Sequence, residues 1–482
     1  MYKATPLLLA LLLPGVAASQ PAEDERDARI ARLERTVELL SQRLQALEAE
    51  RAEAVPGPVT TDAPAPVPGS MADPADGAPT VARPAPAAAA RVAPAAPAES
   101  PLPDRVTMDE DAEAAARADN VLPPGQEGLE GYFPIRGTDT WLRLSGYAKL
   151  DAMHDSDDAG SSDMLITSAI PAGAQDGHRV FNMHARQTRM TLEARRPTDR
   201  GWLRFVLQND FFGSGGSYGY RLRHAYGQLG NTYAGYGFSA FMDLDSGPDT
   251  LDFAGAGAMP SARLASVRQY FPLRGGNQLF VAAEHNPPEL TGPGAFDERT
   301  TLPNVLLGAR HEGDDGHLQA TLLLRHLGYD GDTGSDEAAA AGLTVSGSWD
   351  AGSGYLVYGA VGGGGIAGYV GDLGGLGLDA VIDADGSLEV LDEWGAWVGY
   401  TYPWSWRWRS TLAYGRLYLE RSDLLDPGAF HRSDYAAANL VYSPAPSWSW
   451  GLELLYGKLG LQDGTDGDVF RLQTSLKYDF IK

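Results

Sequence analysis

The chain has 482 residues, of which 43% are hydrophobic, and it contains no cysteine, so neither disulfides nor thiolate metal sites can form. Its formal net charge of −25 argues against a nucleic-acid partner, because binding a phosphate backbone requires a basic surface. The nine histidines are scattered along the chain and nothing places a nucleophile beside its base, so we predict no metal site, no cofactor and no enzymatic activity.

Residues 1–19 have the features of a secretory signal peptide. Lys3 supplies the positive start, Leu7–Leu13 the apolar stretch, and Ala17–Ser19 a small-residue cleavage region. The alternative is a membrane anchor, but the apolar stretch ends at Pro14 and is too short to cross ~30 Å of hydrocarbon. We therefore expect a cleaved signal and an exported chain.

Residues 23–54 predict a short α-helical coiled coil. Their apolar residues recur at alternating spacings of three and four, with polar residues between them, which is the pattern of a heptad seam. The alternative is one amphipathic helix packed on a folded domain, but no such domain lies nearby in sequence. The mixture of residues in the seam does not distinguish a dimer from a trimer. The seam consists of Ile30, Leu33, Val37, Leu40, Leu44 and Leu47.

Residues 55–130 are rich in proline and alanine. Such a segment cannot bury enough apolar surface to fold, so we predict a disordered, extended linker between the coil and the next domain.

Residues 140–482 predict an all-β domain. Short turns alternate with long loops along this region, and nearly every stretch between them has the composition of a strand. Seven short and eight long connections join sixteen strands, and an even number of antiparallel strands with this asymmetry is typical of a 16-stranded transmembrane β-barrel. We place the long connections near Gly160, Gly216, Gly255, Pro293, Thr333, Gly375, Pro427 and Thr465.

Alternation along the strands predicts which side chains face the lumen and which face lipid. In the first strand Arg143, Ser145, Tyr147 and Lys149 alternate with apolar or small residues, so we assign the polar set to the lumen. Several tryptophans lie beside short turns and predict an aromatic girdle at the periplasmic interface: Trp202, Trp404, Trp406, Trp408, Trp448 and Trp450.

Five motifs occur in order over about seventy residues of this domain. They are H-A-R-Q-T-R-M from His184, N-D-F-F-G from Asn209, R-L-R-H-A-Y-G-Q-L-G-N from Arg221, F-M-D from Phe241 and D-T-L-D-F from Asp249. In this series the chain closely resembles the DcaP-like porins of Gram-negative outer membranes. The resemblance implies an N-terminal coiled coil, a trimeric sixteen-stranded barrel, and a passive channel for small anionic solutes such as dicarboxylates.

Basic residues of the strands are the expected lining of the pore. The resemblance places Arg186 and Arg189 there, although two residues three apart face opposite sides of a strand unless a bulge intervenes. A charge pointing into lipid costs about 2–4 kcal/mol at the midplane, which favours the lumen for the basic strand residues. The predicted set is Arg143, Lys149, Arg186, Arg189, Arg204, Arg221 and Arg223.

The third long connection, Asp243–Ala262, carries four aspartates: Asp243, Asp245, Asp249 and Asp252. We expect this loop to fold into the lumen and to set its acids against arginines on the opposite wall, which would create a field across the constriction. An ordinary solvated loop is the alternative.

The preferred hypothesis is a homotrimeric porin in the outer membrane of a Gram-negative bacterium, with lipid and small anions as partners and the coil in the periplasm. A second hypothesis is a structural tether, in which coil and linker bind the cell wall and the barrel is an anchor. A barrel hydrolase is a third, less favoured hypothesis.

Overall fold

The computed structural model describes residue 129 and residues 131–173, 177–213, 218–332 and 334–481. The signal peptide, the coiled coil and nearly all of the linker therefore lie outside the described residues. Three 3₁₀ helices occur within the described part, at Thr167–Ala169, Leu244–Ser246 and Ala367–Tyr369. None of the described helices has the length and apolarity to cross a membrane.

The described part is otherwise built mainly from strands, which pair antiparallel except for β10 with β16. The strands are β1 Phe133–Pro134, β2 Trp141–Asp155, β3 Val180–His184, β4 Arg189–Thr198, β5 Gly201–Gly213, β6 Gly219–Leu229, β7 Thr232–Phe238, β8 Arg263–Pro272, β9 Asn277–His285, β10 Leu290–Thr291, β11 Phe296–Glu298, β12 Asn304–Gly313, β13 Gly316–Gly331, β14 Gly334–Ala351, β15 Gly354–Gly364, β16 Ala380–Ile382, β17 Leu388–Val390, β18 Asp392–Ser405, β19 Trp408–Leu419, β20 Phe430–Ala445, β21 Trp448–Leu461 and β22 Asp466–Ile481.

The sheet closes on itself, because β2 pairs with β22 on one side and with β3 and β4 on the other. Of the 22 strands, β1, β10, β11, β16 and β17 lie outside the barrel wall, and β3 and β4 share one position in it. The wall therefore has 22 − 5 − 1 = 16 strands. The predicted all-β, sixteen-stranded antiparallel barrel is confirmed. Closure is needed because lipid offers the backbone groups of an unpaired strand edge no partner.

Side chains alternate as the pattern of β2 predicts. Tyr147 and Lys149 are 1% exposed, whereas Leu150 is 41% exposed on the outer face. Five of the six predicted girdle tryptophans are exposed beside turns, from 40% for Trp408 to 65% for Trp404. The end of the barrel with the short connections is called the turn side below, and the other end the loop side.

Three connections expected to be long are short. The strands β13 and β14 extend to Gly331 and Gly334, so two residues separate them, and four separate β21 from β22. Five separate β5 from β6. In the hairpin of β13 and β14 the pairing continues through Asp330 and Ser335, although these polar residues have the composition of a loop.

The largest apolar cluster lies inside the barrel. Loops from the loop side enter the lumen and bury Leu165, Phe241, Ile366, Tyr369 and Val370 to 1% exposure or less. A smaller cluster lies where β10, β16 and β17 form a three-stranded sheet over β13 and β14. The lumen of this barrel is therefore narrowed by folded loops.

Candidate functional site

Residues 239–262, called loop L3, run inside the barrel along the inner wall of β18–β21. Four glycines on that wall admit the loop, because a Cβ atom on any of them would meet it at 2.6 to 2.9 Å. Such distances are shorter than real side chains accept, so these positions need glycine for the loop to lie flat against the wall. The contacts are Gly395 with Ala258, Gly399 with Pro248, Gly415 with Ala256 and Gly451 with Leu251.

The first part of L3 is fixed to the wall of β12–β14 by its aspartates. The Asp243 carboxylate accepts hydrogen bonds from Ser346 at 2.8 Å and Arg310 at 3.1 Å, and it lies 2.8 Å from the His317 Nε2 atom. Arg310 also donates to Asp245 at 2.7 Å. Ligand atoms of Asp243, Asp245 and His317 lie within 4.8 Å of one another, as a metal site requires, but the Arg310 guanidinium already balances the two carboxylates.

The later aspartates hold the middle of the loop. The Asp249 carboxylate accepts from Arg409 of β19 at 2.5 Å. Asp252 accepts from the backbone N–H of Leu165 at 3.0 Å and of Gly255 at 3.2 Å, and burial raises the pKa of its carboxyl group. The four acids of the predicted constriction are thus brought to arginines and amides that anchor the loop. They are not set opposite the predicted pore-lining arginines.

The tip of L3 is held at Leu251. Its N–H and that of Asp252 donate to the Glu453 carboxylate at 2.9 and 2.8 Å. Its carbonyl accepts from the Lys149 ammonium at 2.6 Å and from Gln473 at 3.1 Å. Lys149, predicted to line the pore, therefore serves as a buried anchor for the loop.

Arginines of β6 line the barrel wall beside Phe253 of L3. Arg221 donates to both oxygens of Asp210, at 2.8 and 2.5 Å, and Arg223 donates to the same carboxylate at 3.0 Å. The Phe253 ring of L3 lies 5.2 Å from the Arg221 guanidinium carbon and 5.4 Å from that of Arg223. The loop thus presents an aromatic side chain, rather than an acid, to this arginine pair.

Arg186 and Arg189 both point inward, because the strand is interrupted between them. Residues 185–188 form a turn, with the Thr188 N–H donating to the Ala185 carbonyl at 3.0 Å. Arg186 pairs with Asp163 of the first long loop and donates to the Phe211 carbonyl at 3.2 Å. Arg189 is 1% exposed, with its guanidinium 5.3 Å from the Tyr147 ring.

A second arginine group lies nearer the turn side, around Glu193 of β4. The Glu193 carboxylate accepts from Arg143 at 3.2 Å, from Arg195 at 2.7 Å and from Arg204 at 2.7 Å. Arg143 and Arg204 belong to the predicted lining, and Arg195 does not. The alternation along β4 gave the signal for Arg195, because it shares the parity of Arg189.

Two further arginines complete the wall and were missed by sequence reasoning. Arg268 alternates with the exposed Val267, so its inward direction could have been predicted. Arg263 begins β8 with the opposite parity and turns its guanidinium to 4.5 Å from the Phe238 ring, which no pattern indicates. A small pocket between L3 and the wall is lined by Arg268 and Arg310, together with Gln278 and Gln319.

Residues 129–291 match the family model described as DcaP outer membrane protein. The crystal structure of the outer membrane channel DcaP of Acinetobacter baumannii is similar over 72% of this chain and 99% of that chain, with 25% identity and a TM-score of 0.65. The barrel region of this chain is thus similar to the DcaP outer membrane channel. The predicted resemblance to the DcaP-like porins is confirmed, as is a place in the outer membrane.

Two other solved porins are similar to this chain at lower identity. An anion-selective porin from Comamonas acidovorans has 14% identity and a TM-score of 0.46, covering 71% of this chain and all of that one. The outer membrane protein OmpT of Vibrio cholerae has 10% identity and a TM-score of 0.45, over 72% of this chain and 99% of that one. No curated protein matches the sequence significantly.

Proposed function

We propose that the chain forms a passive channel for small anionic solutes, dicarboxylates among them. The observation that carries this proposal is the unequal distribution of charge around loop L3. Its four aspartates are engaged with the wall of β12–β14, with Arg409 or with backbone amides. Arginines line the wall beside Phe253, to which the loop presents an aromatic side chain and not an acid.

The arginine wall has more guanidinium groups than carboxylates. Arg221 and Arg223 share the single carboxylate of Asp210, which also lies within electrostatic range of Arg189 and Arg263. Inside a low-dielectric barrel a local excess of positive charge attracts anions, whatever the total charge of −25. Guanidinium groups bind carboxylates through paired hydrogen bonds, which favours carboxylate solutes among the anions.

A reversal potential measured in a potassium chloride gradient across a planar bilayer tests the proposal. The full-length protein should prefer chloride, and Arg221→Gln with Arg223→Gln should shift the potential toward potassium. Arg416→Gln is the matched control, because Arg416 lies on the outer face with its side chain 49% exposed. Cation preference in the unmodified protein would refute the proposal. Stronger block of the chloride current by succinate than by acetate would support dicarboxylates.

We also propose a homotrimer as the functional assembly. This follows the family resemblance, and cross-linking of the purified protein in detergent would test it. The alternative of a structural tether gains no support from the family match or from the DcaP likeness, both of which concern the barrel region.

A further inference from the structure

The segment before the barrel folds back against its turn-side mouth. Strand β1 pairs with the start of β2, Phe133 opposite Leu142 and Pro134 opposite Trp141. On that side β2 meets β22 only from Gly146 onward, so β1 covers an edge that would otherwise be unpaired. Because successive residues alternate in direction, Phe133 points outward, 53% exposed, and Tyr132 points inward.

Tyr132 lies over the arginine group around Glu193. The centre of its ring is 5.1 Å from the guanidinium carbon of Arg143 and 4.9 Å from that of Arg195. Both distances are within the range of cation–π contacts. Tyr132 therefore covers two guanidinium groups that also donate to one carboxylate.

Arg143 is the member of this group that reaches the mouth. Its side chain is 22% exposed, whereas that of Glu193 is 1% exposed. One guanidinium nitrogen of Arg143 donates to Glu193, and its Nε is buried without a hydrogen-bond partner among the described residues. A buried N–H without an acceptor is costly, so this guanidinium can gain from a second anion.

We propose that Arg143 and Arg195, beneath Tyr132, form a second anion subsite at the turn-side mouth, and that the tyrosine ring is its movable cover. The ligand would be a small carboxylate. It would accept a hydrogen bond from the Arg143 Nε–H and lie on the guanidinium face that the Tyr132 ring covers in this structure. The inference rests on the proposed anion channel and adds a second site to it.

The two arginine groups are too far apart for one small solute to bridge. Arg223 donates to Gln208 of β5, and Gln208 lies four residues from Arg204, which is paired with Arg195; four residues span ~13 Å at ~3.3 Å per residue. A small dicarboxylate would thus occupy the sites one after the other, at Arg221 and Arg223 first when it enters from the loop side.

The test measures block of the chloride current by succinate added to one side at a time, with the full-length protein in planar bilayers. Removing the ring with Tyr132→Ala should strengthen block from the turn side about two- to fivefold, the effect expected of an exposed cation–π contact. Tyr132→Phe keeps the ring and removes only the hydroxyl beside Glu193, so its turn-side block should stay close to that of the unmodified protein. Block from the loop side should be unchanged in both variants.

The double variant Tyr132→Ala with Arg143→Gln tests whether the Arg143 guanidinium binds the carboxylate. It should lack the stronger turn-side block that Tyr132→Ala shows. If Tyr132→Ala fails to assemble, Tyr132→Leu removes the ring but keeps an apolar side chain. An unchanged turn-side block, or a gain that persists without Arg143, would overturn the subsite while leaving the anion channel intact. Cation preference, or no block from either side in the unmodified protein, would refute both.

Discussion

Glu453 determines where the tip of loop L3 lies, and its removal should open the channel. Its carboxylate accepts the N–H groups of Leu251 and Asp252, and the Asn439 side chain donates to it at 3.0 Å. Glu453 is 0% exposed, so water does not replace it readily as an acceptor. In Glu453→Ala both backbone donors lose their acceptor.

The size of the effect follows from these two donors. A buried donor left without a partner costs about 1–3 kcal/mol, so two of them weaken the attachment of the loop tip by about 2–6 kcal/mol. The barrel wall should remain assembled, because its strands pair without the loop. We therefore expect a larger single-channel conductance and unchanged heat resistance of the barrel.

Hydrogen exchange of the amides of Leu251 and Asp252 provides the direct measurement, with single-channel conductance as the functional one. Glu453→Gln retains one oxygen acceptor and should have an intermediate effect. Glu389→Ala is the control, because Glu389 is exposed on β17 and distant in sequence from the loop tip. Normal protection of both amides in Glu453→Ala, together with an unchanged conductance, would show that other contacts hold the tip.

Three further predictions concern the loops and the coil. Burial raises the pKa of Asp372 to about 6, so the free energy that stabilises its loop should be greatest below the ordinary aspartate pKa and should fall by up to about 3 kcal/mol as the pH rises through 6. Hydrogen exchange of residues 365–379 at pH 5 and pH 8 checks this, and Asp372→Asn should abolish the difference between the two pH values. Gly415→Val should displace L3 into the lumen at a cost of about 1–3 kcal/mol and reduce conductance, whereas Gly227→Ala, whose Cβ would lie 3.8 Å from its nearest neighbour, should leave conductance unchanged. Equal conductance for the two variants would contradict the packing of L3 on the wall. In a peptide of residues 23–53, replacing Leu40 and Leu44 with aspartate should abolish helicity and association together, and an oligomer in sedimentation would show that the heptad interpretation is wrong.

The sequence predicted the barrel well because its signal is local. Lys149 and Leu150 point to opposite faces simply because they are adjacent in a strand, and closure then follows from the number of strands. The partners of the loop residues could not be predicted in this way. Asp249 binds Arg409, 160 residues later, and nothing in the sequence near either residue indicates that contact.

The alternation of side chains also could not predict where a strand is interrupted. Arg186 and Arg189 both face inward because a turn separates β3 from β4, a possibility the spacing raised but could not decide. The sequence places the four acids of L3 on one loop, but it does not indicate the arginines and amides that they contact. A carboxylate next to Arg310 anchors the chain, whereas one facing open water would have shaped the field in the pore.

The hairpin of β13 and β14 has a practical consequence outside the pore. Its strands have 16 and 18 residues, and 18 residues at ~3.4 Å each with a tilt of ~40° rise ~45 Å, against an apolar band of ~25 Å. The hairpin therefore stands well clear of the lipid on the loop side, stiffened by β11, which pairs with its upper end. Its paired end at Gly331 and Gly334 is therefore suited to carrying an epitope or a fluorescent label on living cells.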